Sequence, residues 1–156
     1  MELFLHGPGE QTPRLVEIHD EMTVEAFVVA FGEVGEGIWV EDQDVELVEE
    51  VIVVEVVTEH DHVHHHRCRS IDVVVRYLEV PDIHKEFAPA ATVGRVLRWA
   101  LGPEGFNIPE AEHPEYGFLS CVDGKSVPDN VHVGSLASGH SCEACLSLVK
   151  KRNPQG

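Results

Sequence analysis

The chain has 156 residues, 43% of them hydrophobic, which is enough to bury a core and too many for a disordered chain. Its formal charge of −17 is lopsided, with fifteen acids against Arg14 alone in residues 1–58, and eleven acids against eight bases in residues 70–156. Such a field repels nucleic acid and anionic membrane surfaces, and no apolar run approaches the roughly 20 residues of a membrane span.

The opening "MELFLH" reads as a strand, "GPGEQTP" as a turn cluster, and "RLVEIH" as a half-buried strand with alternating side chains. Thr23 then suits an N-cap, Val24, Phe27, Val28 and Phe31 form one helical stripe, and Gly32 suits a C-terminal stop. "GIWVED" follows as a short strand. "VIVVEVV" (residues 51–57) is a continuous apolar run of the kind found in a central strand.

Residues 70–156 repeat this order. "SIDVVVRYLEV" predicts a strand, Pro81-Asp82 a turn and "IHKEFA" a second strand. A helix opening at Thr92-Val93 and closing at Gly102 matches the one opening at Thr23-Val24 and closing at Gly32. "YGFLSCVDGKSVPD" supplies a strand and an Asp123-Gly124 turn, and "CLSLVKK" a closing strand. An order of strand, strand, helix, strand, strand that recurs after about seventy residues predicts two copies of one small α+β unit.

A hairpin, a Thr-capped helix, a short strand with an Asp-Gly turn and a last apolar strand entering a basic tail resemble the ubiquitin β-grasp. "VDGKSVPDNVHVGSL" is similar to that family's stretch before its last strand, and "LSLVKKR" to its final strand and tail. Two such units in tandem resemble the tandem ubiquitin-like modifiers of vertebrate interferon responses and, more closely, the bacterial Bil-type antiphage modifiers. The implied architecture is α+β, two tandem ubiquitin-like β-grasp domains: residues 1–58, a His-rich linker at 59–69, residues 70–149, and a flexible conjugation tail at 150–156.

The resemblance implies a cytoplasmic protein modifier, not an enzyme, joined to target proteins through Gly156. Its partners would be an activating enzyme, a conjugating enzyme, a JAB-type isopeptidase and the conjugated target. No cofactor, nucleic acid or membrane is expected. Glycine suits a reactive end because it lacks a Cβ and lets an enzyme backbone approach. Pro154 biases Asn153 to extended backbone, and Lys150, Lys151 and Arg152 offer charge to acidic partner surfaces. Together with Gln155 these form the expected recognition tail. Family members commonly end in a glycine pair, whereas Gln155 precedes Gly156 here. The opening "MELFLHGPGE" has no cationic region of a secretory signal, which agrees with a cytoplasmic setting.

"TEHDHVHHHRCRS" (residues 58–70) carries five histidines and Cys68, groups that ligate zinc, nickel or copper. If extended, His60, His62, His64 and His66 share one face. Ligands at spacing two make a poor tetrahedral site alone, so the segment reads as a polar hinge with adventitious metal affinity, and no dedicated metal site is expected. Cys142-x-x-Cys145 is a lone pair better read as small core residues. Four scattered cysteines do not suggest a disulfide framework. His84-Lys85-Glu86 with Cys142-x-x-Cys145 is superficially like the zinc-deaminase pattern, but its proline is missing and both pieces read as strands. The rival functional reading is a non-conjugated β-grasp adaptor made metal-responsive by its histidines.

Overall fold

The structure, a computed structural model, describes residues 1–10, 12–137 and 141–151. In the first domain β1 (Glu2–His6) and β2 (Arg14–Glu17) form the antiparallel hairpin, with Leu3 opposite Val16. Alternation aims Leu3 and Leu5 inward, both fully buried. Helix α1 (Val24–Phe31) covers them with Val24, Phe27 and Val28. Thr23 caps it by accepting the Ala26 N–H at 3.1 Å, and the Gly32 N–H closes it on the Val28 carbonyl at 2.8 Å. Strand β3 (Gly37–Val40) lies at one edge of the sheet.

Two expectations change here. The apolar run 51–57 is not a central strand; Val53–Glu55 is a single 3-10 turn. Its backbone is already committed to the helix start, where the Val24 N–H meets the Val51 carbonyl at 2.9 Å and the Val53 N–H meets the Met22 carbonyl at 2.9 Å. The central strand is β4 (His62–His66), giving the order β2-β1-β4-β3. It runs parallel to β1, with Leu5 beside Val63, and antiparallel to β3, with Trp39 beside His64. Residues 59–69 therefore contain a buried strand and are not a linker. Val63 fills the first core, while the histidines of the opposite face meet the second domain instead of water.

After four intervening residues, 67–70, the second sheet begins. Its order is β6-β5-β9-β7-β8, built from β5 (Ile71–Tyr77), β6 (Val80–Phe87), β7 (Tyr116–Ser120), β8 (Ser126–Val127) and β9 (Glu143–Lys150). β9 lies between β5, to which it is parallel, and β7, to which it is antiparallel. Helix α2 (Val93–Leu101) packs Val93, Val96, Leu97, Ala100 and Leu101 on Ile71, Val73, Val75, Leu146 and Leu148. The hairpin turn is Leu78-Glu79, with Leu78 at φ 48°, and not Pro81-Asp82. Pro81 is tolerated in β6 because that strand is an edge, where a missing N–H costs no ladder bond.

The duplication extends to individual backbone bonds. The pairs Val24–Val51, Glu25–Glu49 and Val53–Met22 of the first domain recur as Val93–Val131, Gly94–Asp129 and Val133–Ala91 in the second. The 3-10 turn Val53–Glu55 thus corresponds to the short α3 (Val133–Leu136), and Ile52 to His132.

Contacts dock the two domains directly. Trp39 is buried with Ala88 and Ala90. Arg95 pairs with Asp44 at 2.6 Å and Asp42 at 3.6 Å, and the Asp42 N–H donates to the Ala90 carbonyl at 2.9 Å. The cysteines also depart from expectation. Cys68 is bonded to Cys142 and Cys121 to Cys145, with Cα separations of 5.8 and 5.5 Å. The first bond ties the junction between the domains to the approach of β9, a spatial neighbourhood that a spacing of 74 residues conceals.

Candidate functional site

Two regions carry chemistry: the end of β9 and the cleft between the domains. β9 reaches Lys150, so that residue ends a strand instead of opening a tail. Its ammonium meets Glu115 at 3.4 Å and Glu112 at 3.6 Å, and the hydrogen bond to Glu115 holds its pKa above the ordinary lysine range. These exposed pairs are screened and contribute little to stability. The Lys151 N–H donates to the Glu115 carbonyl, and its side chain lies over Gly117, where a Cβ would collide with it. Arg152, Asn153, Pro154, Gln155 and Gly156 lie outside the described residues.

The cleft measures about 790 Å³ and is lined from the first domain by His6, Glu41, His62 and His64, and from the second by His132 and Gly134. Strand geometry explains the gathering. His6 and His64 are register partners on adjacent parallel strands, so their rings stack with centroids 4.3 Å apart. Glu41 follows β3, and His132 precedes α3 from across the domain boundary. The His132 ring lies 4.1 Å from that of His64 and 4.9 Å from that of His6, and its Nε2 meets Glu41 Oε1 at 2.6 Å.

Burial dominates the electrostatics. It pushes the His6 imidazole down to about 4, helped by the neighbouring His132 and His62. His64 is driven lower still by burial, again with His132, His6 and His62 adding repulsion. His66 is also lowered by burial, against which its hydrogen bond to the Gly134 carbonyl works. Lowered in this way, His6 and His64 are neutral imidazoles near pH 7, the form whose ring nitrogen can offer a lone pair. Nε2 of His64 is buried without any partner among the described residues, an omission worth about 1–3 kcal/mol in a protein interior.

Of the weak metal candidates in the sequence, His62, His64 and His66 line this cleft. His66 does not share its chemistry: Nε2 faces the Gly134 carbonyl at 3.1 Å and Nδ1 accepts the Cys68 N–H at 3.0 Å. His60 has left the strand at φ 65° and is exposed. Cys68, Cys142 and Cys145 are oxidised and unavailable as thiolates. His6, Glu41 and His132 escaped the sequence reading because nothing in their spacing links them. His6 alone left a trace, as a polar residue ending an alternating strand.

A family model described as BilA ubiquitin-like domain 2 matches residues 72–151. The chain belongs to that family. The matched segment spans β5 to β9, the whole second sheet, and the paired backbone bonds above extend the β-grasp plan to the first sheet. No curated protein matches the chain. Among solved structures, a ubiquitin from Caldiarchaeum subterraneum is similar at 16% identity, with a TM-score of 0.42, covering 55% of this chain and 98% of that one. Within this BilA-type chain no described helix is long and apolar enough to cross a membrane.

Proposed function

We propose that the chain is a protein modifier of bacterial antiphage defence, joined to target proteins through Gly156. The observation that carries this reading is the family match to BilA ubiquitin-like domain 2, which ends at Lys151, where β9 delivers the chain to the surface. In the reaction the Gly156 carboxylate attacks ATP, forming an acyl adenylate and releasing pyrophosphate. An activating-enzyme thiol then displaces AMP, the acyl group passes to a conjugating-enzyme thiol, and a target amine displaces that thiol. The chain is thus a substrate of enzymes and not an enzyme itself, and a JAB-type isopeptidase would reverse the bond. A cytoplasmic setting, where ATP and such enzymes are present, belongs to the same reading.

The second domain supplies docking charge. Lys151 is free of carboxylate partners among the described residues, while Lys150 already leans on Glu112 and Glu115. Encounter with an acidic enzyme surface therefore falls mainly to Lys151 and Arg152. Reconstitution with ATP and the activating and conjugating enzymes of the same genome tests the proposal. A reductant-sensitive adduct on an enzyme cysteine, followed by a reductant-stable adduct on another protein, is expected. Absence of both from an active enzyme preparation would refute it.

A further inference from the structure

His6 at the end of β1, Glu41 after β3, His64 in β4 and His132 before α3 each offer a ligand atom, and these atoms all lie within 4.8 Å of one another. We propose that these four residues form a zinc site whose ion fastens one ubiquitin-like domain to the other. Three ligands come from the first domain and His132 from the second. The proposal does not rest on conjugation.

The donor set favours this ion class. Three imidazoles and one carboxylate are borderline ligands suited to zinc, and too poor in oxygen for calcium or magnesium. Tetrahedral zinc with bonds near 2.1 Å sets its ligands roughly 3.4 Å apart, so the observed cluster needs only small ring rotations to close. Two further observations point to a ligand. His64 is 4% exposed, and its Nε2 has no partner among the described residues although polar neighbours surround it. His62 Nδ1 meets His6 Nε2 at 2.7 Å, an outer contact that fixes the plane of a ligand ring. His66, satisfied on both nitrogens, and the disulfide-bonded cysteines stay out of the set.

The consequence is mechanical. His132 occupies the position that Ile52 holds in the first domain, so one exchange of side-chain chemistry between the two copies supplies the ligand that crosses the boundary. With zinc bound, the domains keep one relative orientation; without it, they depend on Trp39, Arg95 and the junction.

The test uses the full chain, free of any affinity tag, stripped with chelator and titrated with zinc ion alone against a chromophoric competitor. One ion per chain with Kd below about 1 µM is expected. His132→Gln and His6→Gln should each weaken binding at least tenfold, while the exposed His60→Gln leaves it unchanged. A cobalt-substituted sample should show tetrahedral visible bands without thiolate charge transfer. NMR of the wild-type imidazoles removes any dependence on how the variants fold: of eleven histidines, His6, His64 and His132 should show coordination shifts. Failure to bind one ion per chain, undiminished binding by His132→Gln, or coordination shifts at exposed rings such as His60 or His84 would each overturn the site.

Discussion

Thr23 and Thr92 show how single residues repeat their work in both domains. Each caps its helix by accepting an N–H three residues on, at 3.1 Å from Ala26 and 3.3 Å from Arg95. Alanine at either position should cost about 1 kcal/mol, read from the midpoint of urea unfolding. Tyr116 gives a pH prediction. Its hydroxyl is hydrogen-bonded to that of Tyr77 at 3.0 Å, and this bond, with burial, pushes it up to about 12 from 10.0. A folded-state pKa raised above the unfolded one means that this stabilisation is complete below pH 10 and disappears as pH rises through about 12. Tyr77→Phe should return Tyr116 toward 10, seen as phenolate absorbance appearing earlier in an alkaline titration. An unchanged titration curve would show that the Tyr77 bond is not the cause.

At the scale of elements, β4 is where sequence and structure part most sharply. The hairpins, both helices with their caps, and the closing strand β9 were legible, because alternation, Thr caps and terminal glycines each have one local cause. The identity of the fourth strand was not. Pattern reading takes "VIVVEVV" as a core strand and "HVHHH" as hinge because it equates polar with solvated. In the fold the outer face of β4 is covered by another domain, so the histidines are buried without being apolar. The candidate site was hidden for the same reason: two of its ligands lie in that strand and its neighbour, and two come from loops far away in sequence. Digestion with subtilisin measures the difference. Cuts should fall first in the exposed stretch of residues 42–50 and spare residues 62–66, whereas a hinge would be nicked between residues 59 and 69. The seat of β4 against the second domain can also be perturbed alone. A Cβ at Gly134 would lie 2.9 Å from the Pro89 carbonyl and 3.1 Å from His66 Cδ2, so Gly134→Ala should destabilise by about 1–3 kcal/mol in chemical unfolding.

The whole molecule is a pair of docked domains with unequal surfaces. The first carries most of the negative charge and no lysine; the four lysines are Lys85, Lys125, Lys150 and Lys151, all in the second. The Met1 ammonium is also occupied, 3.0 Å from Glu17. Few free amines on the modifier predict single attachment to targets over self-chains, and branched peptides at Lys85 or Lys125 in mass spectra of conjugates would contradict that. The Cys68–Cys142 bond closes a long loop across the junction, so Cys142→Ser should cost roughly 2–4 kcal/mol in the oxidised protein. Cytosolic thiols are ordinarily kept reduced, and counting free thiols in protein taken directly from cells tells which form is the working one. Deleting Gly156 and following transfer to the activating enzyme in the reconstituted reaction shows whether the chain acts through its terminal carboxylate, as proposed. An intact fold, by circular dichroism, with no thioester formed is the expected result. Thioester formation at the wild-type rate by the deleted chain would contradict it.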